Sequence, residues 1–146
     1  MRVVVNANIL VAALLKSATT RQILLMSDLE FCAPEHLFVE VKGFVKDQRF
    51  RKRLGLTEED LRELLAYILQ PVTFFPEKMY LSFIRRAIPL VTHKEDAPYI
   101  ARSLALGASL WSNDAALKKQ SLVTGFTTSE LVQFLARKRG RSDDHG

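Results

Sequence analysis

Short apolar runs alternate along the chain with stretches in which apolar residues recur every three or four positions. This alternation predicts strands separated by helices. The predicted strands are residues 3–5, 31–33, 72–75, 109–111 and 126–127. Strands connected through helices pair in parallel, so we predict a three-layer α/β/α fold with a mostly parallel central sheet.

Polar residues and glycines mark the ends of the predicted helices. Asn8 is predicted to cap the first helix, and Thr57 caps a later one. The third helix is predicted to run from Pro34 to Gly55 without a break, because apolar residues keep helical spacing up to that glycine. Asp96 precedes Ala97 and a proline, which is tolerated in the first turn of a helix, so a helix is predicted to begin there.

Three acidic residues stand apart from the rest. Most acids lie on helix faces beside lysine or arginine, a pattern typical of solvated pairs. Glu40 instead interrupts the apolar face of the third helix, Asp96 precedes a helix, and Asp114 follows the fourth strand. Each has a structural alternative, because Asp96 and Asp114 could cap helices and Glu40 could lie at the surface.

These acids and Asn6, which ends the first strand, are predicted to meet at one edge of the sheet. The carboxyl ends of parallel strands line a crevice where ligands bind. Carboxylates that converge without basic partners repel one another unless a cation neutralises them. Oxygen ligands of this kind favour Mg²⁺ or Mn²⁺.

Composition narrows the class of protein. The chain has 146 residues, of which 48% are hydrophobic and 25% charged, enough for one domain with a proper core. Its apolar stretches are too short to span a bilayer and its N-terminal run lacks the features of a secretory signal, so we expect a cytoplasmic protein with no membrane partner. A single cysteine, Cys32, excludes an intramolecular disulfide framework.

The formal net charge of +5 favours attraction to phosphate-rich polymers. Part of this charge crowds the end of the chain, where we predict a basic, flexible tail over residues 137–146 that follows one domain over residues 1–136. Lys118 and Lys119, just beyond Asp114, are candidates for contacts with nucleic-acid phosphates, although a solvated helix end explains them more simply.

Three segments of the chain resemble PIN domains. VVVNANILVAALL is similar to their first strand and helix, and APEHLFVEV is similar to the segment that carries their second acid, here Glu40. KEDAPYIARSLALGASLWSND resembles the stretch that carries their third and fourth acids, here Asp96 and Asp114. The resemblance covers nearly the whole chain and is strongest to prokaryotic PIN proteins similar to toxin ribonucleases.

The resemblance implies a PIN-like fold and a metal-dependent endoribonuclease. In such enzymes the acids hold one or two Mg²⁺ or Mn²⁺ ions, which activate water and bind the scissile phosphate. On this sequence the implied metal ligands are Glu40, Asp96 and Asp114, with Asn8 and Ser112 as supporting residues. RNA is the implied substrate, and an antitoxin protein and a second copy of the chain are implied partners.

Asn6 departs from the family pattern, which has aspartate at this catalytic position, and Ala116 stands where many relatives carry a further acid. A unit charge about 4 Å from another contributes about 4 kcal/mol at an effective dielectric near 20. An amide cannot neutralise a cation or accept a proton from the attacking water, so we expect metal affinity and turnover to be lower by orders of magnitude.

Two explanations of Asn6 stay open. The first is an engineered Asp→Asn change, which is favoured because Asn8 and the acids Glu40, Asp96 and Asp114 all persist. The second is that Asn6 is native and the chain is a non-catalytic RNA- or protein-binding module on the same scaffold. A phosphoacceptor receiver domain is disfavoured, because such a domain needs acids just after its first strand, where this chain has Asn6 and Asn8.

Overall fold

The central sheet has five strands, all parallel. The computed structural model describes residues 1–15, 17–120 and 122–144, with the side chains of residues 118 and 141–144 excepted. The strands are β1 (Arg2–Val5), β2 (Glu30–Pro34), β3 (Val72–Phe75), β4 (Ser109–Trp111) and β5 (Gly125–Phe126). They are ordered β3-β2-β1-β4-β5. Each predicted strand is therefore present, and the predicted parallel sheet is confirmed.

Nine α-helices lie in the described part of the chain. They are α1 (Ala7–Leu15), α2 (Ala18–Met26), α3 (His36–Lys46), α4 (Gln48–Leu54), α5 (Glu58–Ile68), α6 (Leu81–Ala87), α7 (Ala97–Leu106), α8 (Ala115–Lys118) and α9 (Thr128–Asp144). Among them no single helix is long and apolar enough to cross a membrane, and only the bent pair α1 and α2 meets that test when the two are counted together.

The helices form layers on both faces of the sheet. Contacts join α1 with α2 and α3, and α5 with α2 and α3, whereas α6 packs on α7, which contacts β1, β2 and β4. Right-handed crossovers account for this division, because the chain moves outward from β1 to β3 and then returns in the opposite direction. The predicted three-layer α/β/α architecture is confirmed.

The direction of the chain reverses beside β1, and this reversal positions the site. The chain leaves β1 toward β2 and returns to β4 on the other side, so a crevice opens at the carboxyl ends of these strands. Val3, Val4 and Val5 are fully buried, as expected for a central parallel strand. The backbone N–H of Asn6 donates to the carbonyl of Trp111 at 3.1 Å, which extends the β1–β4 pairing by one step.

The start of α1 differs from the prediction. The helix begins at Ala7, so Asn8 lies inside its first turn and is not its cap. Asn6 takes this role, because its side-chain Oδ1 accepts a hydrogen bond from the backbone N–H of Asn8 at 3.1 Å. The backbone carbonyl of Asn6 also accepts from the N–H of Ile9 at 3.0 Å. Asn6 therefore has a structural role at the end of β1.

The prediction of one helix from Pro34 to Gly55 is wrong. Asp47 ends α3 and starts α4, because its Oδ1 accepts hydrogen bonds from the backbone N–H groups of Arg49 and Phe50. Gly55 ends α4 with a φ of 70°, a left-handed conformation that glycine adopts without strain. The helix thus breaks at a capping residue inside an uninterrupted apolar pattern.

Helix α9 passes the predicted domain boundary at residue 136. It continues to Asp144, so the backbone of residues 137–144 is helical. Residues 145–146 lie outside the described residues. The predicted flexibility of this basic segment stays a prediction.

Candidate active site

An acidic cleft of about 400 Å³ lies at the carboxyl ends of β1 and β4. Its polar lining comes from Asn6, Asn8, Glu40, His93, Glu95, Asp96 and Asp114. The structure therefore brings the three acids singled out in the sequence into one cleft with both asparagines. Within the described residues this lining includes four carboxylates and no lysine or arginine.

A web of hydrogen bonds holds the β1–β4 side of the cleft. The Nδ2 of Asn8 donates to Ser112 Oγ at 2.9 Å, and its Oδ1 accepts from the backbone N–H of Asn113 at 3.3 Å. Ser112 Oγ also accepts from the backbone N–H of Asp114 at 3.1 Å. Asn8 therefore ties the loop after β4 to the start of α1. This is the geometry of a supporting residue, while a part in catalysis stays a prediction for both side chains.

Asp114 and Asp96 differ in how their carboxylates are used. Oδ1 of Asp114 accepts from the backbone N–H of Ala116 at 2.9 Å and caps the short helix α8. The cap alternative is therefore correct for Asp114, and it engages one of the two oxygens. Asp96 leads into α7 without any side-chain cap bond, so that alternative is wrong for Asp96.

Glu40 is held on the opposite side of the cleft. The hydroxyl of Tyr99 donates to Glu40 Oε1 at 2.7 Å, and His36 Nε2 lies 3.4 Å from the same oxygen. Burial raises the pKa of Glu40, Tyr99 and His36 lower it in part, and Asp96 raises it further. The carboxylate, with 26% of the side chain exposed, is neither a surface group nor a core group.

Asp96 lies among other acids. Burial raises its pKa and Asp114 raises it further, while His93 and the amide of Asn6 lower it. Within the described residues, neither Asp96 nor Asp114 forms an ion pair with lysine or arginine. Asn6 Nδ2 is buried and lacks a hydrogen bond of ordinary geometry, although it lies close enough to Asp96 to influence that pKa.

The donors of the cleft fit a hard divalent cation in their chemistry. They are carboxylate oxygens that have no lysine or arginine partner among the described residues. The pKa values of Glu40 and Asp96 are raised by burial and by neighbouring acids. Over the described ranges no group of three or more His, Cys, Asp or Glu side chains is already close enough to hold an ion. Mg²⁺ usually keeps several waters and binds one or two carboxylates plus substrate phosphates, so an open acidic cleft suffices.

Asn6 does not contribute a ligand in this arrangement. Its Oδ1 is engaged by the backbone N–H of Asn8, which fixes the orientation of the amide. The atom left toward Asp96 is therefore Nδ2, a donor that cannot coordinate a cation. The side chain therefore presents a neutral donor beside a carboxylate.

The remaining predicted residues have simpler placements. Lys119 is exposed just beyond α8, and the side chain of Lys118 lies outside the described residues. Sequence reasoning missed His36 and Tyr99 beside Glu40. The i,i+4 spacing of His36 and Glu40 was a usable signal, whereas Tyr99 is 59 residues away from Glu40 and nothing in the local pattern joins them.

Comparisons with known proteins agree with this fold. A family model described as a PIN domain matches residues 4–136. The fold is similar to a chain in the crystal structure of VapBC2 from Rickettsia felis bound to a DNA fragment from their promoter, with a TM-score of 0.70 and 15% sequence identity over 87% of this chain and 98% of that chain. At this identity the likeness shows the fold alone. Among curated proteins, none matches the sequence.

Proposed function

The chain belongs to the PIN-domain family, and we propose that it is a toxin-like, metal-dependent endoribonuclease whose activity is impaired by Asn6. The observation that carries the proposal is the meeting of Glu40, Asp96 and Asp114 in one cleft without a lysine or arginine partner among the described residues. Structural acids are usually paired or solvated. Unpaired acids converging in a cleft are typical of a functional site.

The three carboxylates would hold Mg²⁺ or Mn²⁺ together, each from a different part of the fold. Glu40 approaches from α3 and Asp96 from the turn before α7, and Asp114 offers the oxygen that does not cap α8. When bound, the cation supplies Lewis acidity and an activated water for hydrolysis of a phosphodiester. Asn8 and Ser112 keep the loop after β4 in register with β1, so Asp114 stays in place.

Partners follow from the family and remain part of the proposal. RNA is the proposed substrate, with Lys118 and Lys119 as candidates for phosphate contacts beside Asp114. The similarity to a chain of VapBC2, a complex solved with promoter DNA, supports an antitoxin as protein partner. A homodimer is proposed on the same family basis, and a cytoplasmic location is proposed from the composition of the chain, which includes a single cysteine.

A non-catalytic RNA- or protein-binding module is the second candidate. It is favoured by the amide of Asn6, which leaves a buried Nδ2 beside Asp96 at the place of a metal ligand. A site selected for cation binding gains nothing from a donor at that position. A carboxylate at residue 6 should restore metal binding and RNA cleavage in an impaired nuclease, and it should restore neither in a binding module.

The decisive experiment compares the chain with its Asn6→Asp variant. An aspartate can keep the cap on Asn8 with one oxygen and present the second toward Asp96, with little change of shape. A unit charge about 4 Å from another contributes up to about 4 kcal/mol at an effective dielectric near 20. The added carboxylate should therefore raise the Mn²⁺ affinity by about 10²–10³-fold. We expect Mn²⁺-dependent RNA cleavage to appear in the variant alone.

Asn113→Asp is the matched control. Its Oδ1 accepts from the backbone N–H and the hydroxyl of Thr128, an arrangement that aspartate retains, and the residue is exposed next to Asp114 without lining the cleft. An equal gain of Mn²⁺ affinity in both variants would attribute the effect to net charge. No Mn²⁺ binding and no cleavage in Asn6→Asp would support the binding module instead.

A further inference from the structure

We infer that Tyr99 is a positioning residue of this cleft, which fixes the Glu40 carboxylate from behind for cation binding. The inference rests on the proposed metal-dependent function. Its observation is the hydrogen bond from the Tyr99 hydroxyl to Glu40 Oε1 at 2.7 Å. Tyr99 is fully buried, so the donor is anchored while its acceptor reaches the cleft.

Tyr99 is well placed to act as a rigid anchor. It lies three residues after Asp96, in the first turn of α7, and α7 is enclosed between the sheet and α6. A buried tyrosine has only two side-chain torsions and little room to rotate, whereas Glu40 has three and remains partly exposed. The hydrogen bond therefore ties the flexible acid of α3 to the helix that follows Asp96.

The chemistry of this bond leaves Glu40 available as a ligand. A phenol that donates to a carboxylate forms a short, charge-assisted hydrogen bond. It engages Oε1 and leaves the second carboxylate oxygen for another partner. Outer contacts of this kind orient metal ligands, and their loss typically lowers metal affinity by about 10–100-fold.

The test measures Mn²⁺ affinity by calorimetry in the Asn6→Asp background, where binding is expected to be measurable. Tyr99→Phe should weaken Mn²⁺ binding by about tenfold or more. Tyr80→Phe is the matched control, because Tyr80 is also buried, with 1% exposed, and its hydroxyl interacts with the backbone of His36 and, within the described residues, with no carboxylate of the cleft. It should leave the affinity within about twofold, since its hydroxyl orients none of the proposed metal ligands. Melting temperatures establish that each variant is folded.

Glu40→Gln separates positioning from a general structural effect. If Tyr99 acts through Glu40, adding Tyr99→Phe to the Glu40→Gln protein should cause no further loss of affinity. A second, independent loss would overturn the inference, as would an unchanged affinity in Tyr99→Phe or an equal loss in Tyr80→Phe. If Asn6→Asp binds no Mn²⁺ at all, the proposed function is wrong, and this inference, which rests on it, is wrong as well.

Discussion

The two sides of the acidic cleft are built on different physical principles. On the β1–β4 side Asn8 bridges to Ser112 and Asp114 caps α8, and the buried Nδ2 of Asn6 is the group without a hydrogen bond of ordinary geometry. On the α3–α7 side Asp96 makes no cap bond, and burial and neighbouring acids raise the pKa values of Asp96 and Glu40. One side is fixed mainly by hydrogen bonds, whereas the other combines the bond from Tyr99 to Glu40 with carboxylates that burial and neighbouring acids make costly to ionise.

This difference shows where the molecule gives up stability for a site. Hydrogen bonds between buried polar groups stabilise a shape whether or not a ligand is present. Buried like charges destabilise the folded state until a cation or a proton relieves them. The β1–β4 side therefore acts as the frame, and the α3–α7 side carries the carboxylates whose charge a cation or a proton would neutralise.

The largest expected effect is on the frame. Asn8→Ala removes the hydrogen bonds to Ser112 Oγ and to the N–H of Asn113, and Ser112 is buried with 3% exposed. We expect the free energy of unfolding in urea to fall by about 2–3 kcal/mol, offset by about 0.5 kcal/mol because alanine favours a helix.

Gln48→Ala, at an exposed first position of α4, controls for an amide-to-alanine change on a helix. It should alter stability by no more than about 0.5 kcal/mol. A loss that small in Asn8→Ala would contradict a frame held by these bonds.

Asp114 belongs to both sides, and two substitutions separate its roles. Asp114→Ala removes the cap of α8 and should lower the free energy of unfolding by about 1 kcal/mol. Asp114→Asn can keep the hydrogen bond to the N–H of Ala116 and should stay within about 0.5 kcal/mol of the parent. In the Asn6→Asp background both should weaken Mn²⁺ binding alike, because both remove the charge. Full Mn²⁺ affinity in Asp114→Asn would assign Asp114 to the frame alone.

The strands and their parallel pairing could be predicted from the sequence because the signals for them are local. Apolar runs predicted the five strands, and connections through helices predicted their parallel pairing. In a parallel sheet the carboxyl ends share one edge, so Asn6 and Asp114 could be placed together without any knowledge of contacts. Asp96 was placed near them because its helix must begin near one edge of the sheet, and Glu40 because the third helix could direct it into the same hollow.

The errors arose where several residues compete for one local role. Asn6 and Asn8 are both good caps, and the pairing of β1 with β4 decides between them by holding the N–H of Asn6 on Trp111. Asp47 lies inside a continuous apolar period, so its cap was hidden by the pattern around it. These choices depend on packing between elements, which spacing along the chain does not contain.

Long-range polar contacts could not be predicted at all. The bond from Tyr99 to Glu40 joins residues from two helices, and although Glu40 stands out in its helix, Tyr99 looks like an ordinary member of its own. Arg102 is an extreme case, since it is 2% exposed and its guanidinium lies 3.5 Å from the centre of the Phe75 ring. A charged residue in a helical pattern predicts solvent exposure, and only the three-dimensional packing overrides that expectation.

The smallest expected effect is on the α3–α7 side of the cleft, where Asp96→Asn should stabilise the protein at neutral pH. The introduced amide can keep an oxygen near Asn6 Nδ2 but carries no charge beside Asp114. Because the pKa of Asp96 is raised in the folded state, its ionisation costs stability as pH rises through that pKa. Below the ordinary aspartate pKa of about 3.9 both the folded and the unfolded state hold the proton, and the gain in stability should vanish.

We expect the melting temperature of Asp96→Asn to be higher by about 2–4 °C near pH 7 and unchanged near pH 3. Asp28→Asn, in the exposed turn before β2, is the control for removal of one acid and should change the melting temperature near pH 7 by no more than about 1 °C. A lower melting temperature in Asp96→Asn at pH 7 would mean that Asp96 belongs to the frame, and that the cleft stores no repulsion for a cation to relieve.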